Sequence, residues 1–120
     1  MGALQYREVA YEMLKDIRSH LEEDELYPSP ELVDRAKKLV DKLFELSELQ
    51  VHVDKTSLGD ILVTVFNVDL DNLMIYCDSK GEADCRVTMN WKTKKRVFDS
   101  IDSLLNSTYL SRATRLLSSK

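Results

Sequence analysis

The stretch that most constrains the fold runs from Asp60 to Trp91 and is the most densely apolar part of the chain. Short runs rich in β-branched and aromatic residues alternate there with polar turn residues, a pattern typical of consecutive strands. The predicted strands are Ile61–Asp69, Leu73–Cys77 and Cys85–Trp91. The loop over 78–82, with Gly81 able to adopt positive φ, predicts a hairpin between the last two strands. The stretch therefore predicts an antiparallel sheet of sequential neighbours.

The strand that begins at Ile61 is apolar on both of its faces. Alternation places one set of side chains on one face and a second set, which includes Leu62, Phe66 and Val68, on the other, with Thr64 as the only polar interruption. An antiparallel sheet with one wet face needs only one apolar side. We therefore expect the second face to be covered, either by another element of the chain or by a second subunit.

Two amphipathic helices are predicted before the sheet. The first covers residues 3–24, with an apolar stripe that recurs every three to five residues and an end near Leu21 or Glu22. The second begins at Pro30, because Ser29 is a good N-cap and proline is well tolerated at the first helical position, and it continues to Leu46. The two helices predict an antiparallel αα-hairpin, and a strand over 49–53 follows it.

The residues after Trp91 are interpreted as helical. Thr93 is a plausible N-cap, and Val97, Phe98 and Ile101 begin an apolar stripe that continues to the C-terminus, with a break at 106–108. The predicted order is ααββββα. The fold class is α+β, with an N-terminal αα-hairpin, a four-stranded antiparallel meander sheet and a C-terminal helix that the break at 106–108 can split. A length of 120 residues predicts a single α+β domain over 1–120.

Composition limits the classes of function. No apolar run approaches the ~20 residues that a membrane-spanning helix needs, and the N-terminus lacks a signal-peptide pattern. We therefore expect a cytoplasmic protein with no membrane partner. The two cysteines, Cys77 and Cys85, are too few for a disulfide scaffold and are expected to be thiols.

Charge is distributed unevenly along the chain. Residues 1–85 carry 9 Lys/Arg and 19 Asp/Glu, whereas residues 86–120 carry 8 Lys/Arg and 2 Asp/Glu. This asymmetry is typical of one domain with an acidic and a basic face, and it also fits a fold in which the basic end lies near acidic helices and neutralises them.

Three clusters of side chains are candidate sites of chemistry. His52 and Asp54 share a strand face and could ligate a metal together with His20 and the acidic cluster Glu22–Glu25, but no metal-binding spacing is present. Cys77 and Cys85 flank the hairpin loop. A loop with an odd number of residues would place the two cysteines opposite each other. A loop with an even number would place Cys77 opposite Asp84. A buried thiol pair is the simpler interpretation, and a redox pair or a catalytic thiol is the alternative.

The third cluster comprises Asp69, Asp71 and Asp78 on the loops of the sheet. These carboxylates could hold a divalent cation, although turn residues that bond their own backbone explain them equally. No catalytic residue, cofactor site or metal site is therefore assigned, and a non-enzymatic protein is the interpretation we favour.

A basic run follows the single tryptophan. Its members, with Trp91 as a possible base-stacking group, are Trp91, Lys92, Lys94, Lys95 and Arg96. Such a run can bind phosphates, so a nucleic-acid-associated protein that uses this run and the C-terminal helix is the alternative hypothesis. A solvated helix N-terminus is the simpler interpretation of the same residues.

The favoured hypothesis is a small protein-binding module without catalytic activity, of the adaptor, antitoxin, immunity or inhibitor type, whose acidic helices face its partner. The partner is another protein, or a second copy in a homodimer. Tyrosine and other aromatic residues often anchor interfaces. The predicted contact residues are Glu22, Glu23, Asp24, Glu25, Tyr27 and Phe66.

Overall fold

The computed structural model describes residues 3–19, 28–56 and 58–118. Within these ranges it contains four helices and five strands. In chain order they are α1 (Ala3–Ser19), α2 (Pro30–Leu46), β1 (Gln50–Lys55), β2 (Ile61–Phe66), β3 (Asn72–Cys77), β4 (Ala83–Met89), β5 (Lys92–Phe98), α3 (Ile101–Leu105) and α4 (Tyr109–Ser118). The α+β class is confirmed, whereas the prediction of four strands is wrong because the sheet has a fifth.

The second helix begins and ends where the sequence predicts. Ser29 is extended, and its side chain accepts a hydrogen bond from the Leu32 amide at 3.2 Å, which satisfies one of the unpaired amides of the first turn. Pro30 occupies the first helical position, and the helix ends at Leu46. The first helix is confirmed over Ala3–Ser19, while its predicted end near Leu21 or Glu22 lies outside the described residues.

The sheet is an antiparallel meander with the spatial order β1-β2-β3-β4-β5. Its central pairs place Val63 opposite both Val53 and Ile75, and Ile75 opposite Cys85. These four side chains form one cross-strand row that is buried on one face of the sheet. Because side chains alternate, their sequence neighbours form the rows of the opposite face.

The fifth strand corrects the predicted helix start at Thr93. Lys92–Phe98 pairs with β4, and Asn90 and Trp91, at φ 52° and 67°, are the two central residues of the turn between them. Two positive φ values are typical of the type I′ turn that matches the twist of a hairpin. The turn also ends β4 at Met89, whereas the sequence predicted a strand as far as Trp91.

The C-terminal region is split, as the break at 106–108 predicts. Ser100 caps α3 by accepting a hydrogen bond from the Ser103 amide at 3.0 Å, and α4 begins at Tyr109. Val97 and Phe98, which were expected in the helical stripe, belong instead to β5.

Residues from all four helices pack against one face of the sheet. They form one continuous apolar core with the inward residues of the strands. The helical members include Leu14, Leu39, Leu43, Leu104 and Leu117. In the part of the chain that the structure describes, no helix is long and apolar enough to cross a membrane.

Asn67 joins the loop after β2 to the end of α4. Its side chain is 7% exposed, donates to the Leu117 carbonyl at 3.1 Å and accepts from the amides of Asp69 and Asp71 at 2.9 and 3.1 Å. The Leu117 carbonyl belongs to the last helical turn, whose carbonyls lack partners within the helix. One buried amide side chain therefore fixes both the loop, in which Leu70 has a positive φ of 66°, and the helix end.

Candidate functional site

The face of the sheet opposite the helices is the candidate site, and we call it the open sheet face. Its apolar centre lies on β2 and β3 and consists of Leu62, Phe66, Met74 and Tyr76. All four side chains are partly exposed, whereas Val63, Val65 and Ile75, on the opposite face of the same strands, are buried beneath the helices. Among the described residues, no helix packs on this face, so the covering expected for the second face of β2 is not supplied by α3 or α4.

The pairing register explains why these side chains lie together. Leu62 is directly opposite Tyr76, and Thr64 is directly opposite Met74. Phe66 lies on the same face two residues beyond Thr64. The side chains of directly opposed residues are close enough to pack, and diagonal neighbours remain within reach of aromatic rings. The centre is therefore an apolar cluster built by two adjacent strands, with Thr64 as its polar interruption.

Polar side chains surround this centre on the outer strands. On the β1 side the ring of His52 lies 5.0 Å from that of Phe66, and on the β4 side the guanidinium of Arg86 lies 5.4 Å from the Tyr76 ring centroid. Thr88 and Thr93 hydrogen-bond through their hydroxyls at 2.8 Å. An apolar centre within a polar rim is the arrangement found in protein–protein interfaces.

The charges of the rim largely balance each other. Asp84 lies 3.3 Å from Arg86 and 3.5 Å from Lys95, and the hydrogen bond with Asp84 raises the pKa of Arg86 above its usual value. Exposed ion pairs of this kind contribute little to stability. They leave the open sheet face without a strong net charge, which suits a partner surface of mixed polarity better than a polyanion.

The predicted phosphate-binding run lies on a strand and not at the start of a helix, where it was expected. Lys92, Lys94 and Lys95 are exposed along an edge strand, and Trp91 is 100% exposed in the turn before it. Arg96 instead lies against aromatic rings, with its guanidinium 4.7 Å from the centroid of Phe98 and 5.7 Å from that of Tyr109. The run is thus a charged strand with side chains on both faces, not a helix N-terminus.

The two cysteines are buried thiols on the helix side of the sheet. Cys77 pairs with Ala83, and Cys85 pairs with Ile75, so both predicted pairings, with Cys85 or with Asp84, are wrong. The reason is that β4 begins two residues earlier than predicted, directly after the loop. Burial raises the pKa of each thiol to about 12, which keeps both protonated and poorly nucleophilic at neutral pH.

Two of the acidic loop residues accept hydrogen bonds from backbone amides, Asp78 within its own loop and Asp71 from the turn between β4 and β5. Asp78 accepts from the amides of Lys80 and Glu82 at 3.0 and 2.9 Å, and Asp71 accepts from the Asn90 amide at 3.2 Å. His52 lies beside Gln50, with 3.3 Å between Nε2 of each residue. Over residues 3–19, 28–56 and 58–118, no three His, Cys, Asp or Glu side chains are grouped so that they could hold a metal ion.

Of the six predicted contact residues, Phe66 lies on the open sheet face. The other five, Glu22–Glu25 and Tyr27, lie outside the described residues. Sequence reasoning did not single out Met74. Alternation places Met74 and Tyr76 on one face of β3, but only the register with β2 makes Met74 a diagonal neighbour of Phe66. Tyr11 packs against Phe44 in the helical hairpin, and its hydroxyl donates to Asp41.

Protein-family models, curated proteins and solved structures were each compared with the chain, and none of them matches it.

Proposed function

We propose that this chain is a protein-binding module without catalytic activity, and that it binds its partner through the open sheet face. The observation that carries the proposal is the uncovered apolar centre made by Leu62, Phe66, Met74 and Tyr76. Burying such a centre against another protein is favourable, since each square ångström of apolar surface removed from water contributes about 25 cal/mol. The rim of His52 and Arg86 would then define the border of the interface.

The partner is another protein, of the kind bound by adaptors, antitoxins, immunity proteins or inhibitors, or a second copy of the chain. Both possibilities use the same face, because in the described ranges its apolar side chains are partly exposed and no helix packs on them. The acidic segment Glu22–Glu25, expected at the interface, lies outside the described residues, so the proposal rests on Phe66 and its neighbours.

The test compares two matched glutamate substitutions. Phe66→Glu places a charge in the apolar centre, whereas Val68→Glu places the same charge on a loop residue that is 91% exposed. Tagged wild-type and variant proteins are used in light scattering and in a pull-down analysed by mass spectrometry, and circular dichroism checks that both variants are folded. We expect Phe66→Glu to weaken the complex by at least about thirtyfold, the effect of losing an interface hot spot, and Val68→Glu to leave it intact.

A clean monomer with no partner in the pull-down would refute the proposal. So would a complex that both variants retain equally.

Nucleic-acid binding is the second candidate, and exposure of Lys92, Lys94 and Lys95 beside a fully exposed Trp91 favours it. It makes a different prediction. Replacing Lys94, Lys95 and Arg96 together by glutamate would abolish binding to an oligonucleotide, and the affinity of the wild-type protein would fall steeply with salt. A protein complex formed through Phe66 would survive the same substitutions.

A further inference from the structure

The last strand of the sheet has an unoccupied edge. In the described ranges β5 pairs with β4 alone, and it stands at the end of the strand order. Six of its seven residues are exposed, with only Phe98 buried. An edge strand of this length presents a row of backbone amides and carbonyls to which another extended chain can pair.

The tight turn determines which backbone groups face outward. A two-residue hairpin makes its flanking residues, here Met89 and Lys92, a hydrogen-bonded pair, and such pairs then alternate along the ladder. Lys92, Lys94 and Arg96 therefore bond inward to β4. The amides and carbonyls that point away from the sheet belong to Thr93, Lys95 and Val97.

The positive charge of β5 determines which kind of extended chain can pair with its edge. Four of its seven residues are cationic, namely Lys92, Lys94, Lys95 and Arg96. A second copy of this strand would bring like charges together across the new ladder, which is destabilising, and exposed lysines commonly protect edges in this way. The same lysines attract an extended segment that carries glutamate or aspartate.

Trp91 adds an apolar contact at the start of the strand. Its side chain is wholly exposed although its φ of 67° is unfavourable for a bulky residue. Residues held in such conformations are enriched at functional sites. An exposed tryptophan beside the edge can pack on an apolar residue of an incoming chain.

We propose that β5 is a strand-addition site for an extended acidic peptide segment of a partner protein. Main-chain hydrogen bonds to Thr93, Lys95 and Val97 hold the segment, and its carboxylates pair with the cations of the strand. Thr93 and Lys95 also belong to the rim of the open sheet face, but the backbone edge of β5 is distinct from the apolar centre on β2 and β3 that carries the proposed function. Either proposal can therefore fail without the other.

The test uses a capped peptide of alternating valine and glutamate, as long as β5, and two substitutions of one residue. Lys95→Gln removes the charge, whereas Lys95→Pro also removes the outward amide while leaving the inward bonds of its neighbours. Trp91, the only tryptophan of the chain, reports binding by its fluorescence. We expect Lys95→Gln to weaken binding about threefold, Lys95→Pro to weaken it at least about tenfold further, and Phe66→Ala to have no effect.

Amide hydrogen exchange on the wild-type protein gives a measurement that does not depend on the folding of the proline variant. Saturation with the peptide is expected to slow exchange at the amides of Thr93, Lys95 and Val97. A peptide of alternating valine and lysine serves as the control and is expected not to bind.

Two results would overturn the proposal. One is unchanged exchange at these three amides when the acidic peptide is at saturating concentration. The other is tight binding of an oligothymidine to which Lys95→Gln and Lys95→Pro respond equally, since this would make β5 a phosphate-binding surface.

Discussion

Replacing Asn67 by alanine tests whether one buried side chain holds the loop after β2 to the end of α4. The substitution removes three hydrogen bonds, one donated to Leu117 and two accepted from Asp69 and Asp71. At about 1 kcal/mol each, their loss would cost about 3 kcal/mol. Because Asp69 is exposed, its amide can bond water instead, so we expect Asn67→Ala to lower the free energy of unfolding by about 2 kcal/mol.

Asn67→Asp is the matched variant. It keeps the two accepted hydrogen bonds but replaces the amide donor with a buried carboxylate that faces the Leu117 carbonyl at the C-terminal end of α4, where negative charge is unfavourable, so we expect a loss at least as large as that of Asn67→Ala. The assay is urea unfolding followed by far-ultraviolet circular dichroism, with an unchanged dependence on urea as the check that both variants unfold in the same way. The reasoning is refuted if Asn67→Ala lies within about 0.5 kcal/mol of the wild type, the range of an ordinary surface substitution.

Two other perturbations probe the turn chemistry and the buried thiols. Gly81 has φ 89°, and an added Cβ would lie 3.0 Å from the flexible Arg35 guanidinium, so the backbone conformation dominates the cost. We expect Gly81→Ala to lose about 1–2 kcal/mol in urea unfolding, while Ser79→Ala in the same loop is neutral, and equal effects would contradict this account. The thiols of Cys77 and Cys85 have pKa values raised from 9.0 to about 12. A raised pKa means that the unfolded thiol ionises first, so their contribution is fully present below pH 9.0 and is lost as the pH rises towards about 12. Stability should fall by about 1.4 kcal/mol per pH unit for each thiol within that window, and the double variant Cys77→Ala, Cys85→Ala should show a shallower fall; an equal slope would contradict the assignment.

Helix boundaries were predicted correctly where a local signal determines them. Ser29 and Pro30 specify the start of α2 through a hydrogen bond and a fixed φ, both of which depend on neighbouring residues only. The break between α3 and α4 likewise follows from the polar residues at 106–108.

The fifth strand was missed because no such local signal accompanies it. Asn90 and Trp91 form a turn that usually contains glycine, and Trp91 is an uncommon residue at positive φ. An edge strand exposed on both faces also lacks the apolar alternation by which strands are recognised. Its strand conformation comes from pairing with β4, and the strand propensities of the individual residues do not predict this pairing.

The candidate site was predicted only in part. Because β2 is apolar on both faces, the sequence predicted a second apolar face that includes Phe66. The partners of Phe66 depend on the register between β2 and β3, which the loop fixes through Asn67, and this buried amide has no distinctive sequence pattern. Met74 therefore became visible as part of the face only in the three-dimensional arrangement.

The most direct test of the proposed interface is site-specific photo-crosslinking in the assembled complex. A photoreactive phenylalanine analogue is placed at Met74, in the centre of the open sheet face, or at Leu116, which is 53% exposed on α4. We expect illumination to join the partner, or a second copy of the chain, to the protein labelled at Met74 and not to the protein labelled at Leu116. Crosslinking from Leu116 without crosslinking from Met74 would show that the partner binds the helical side and would contradict the account.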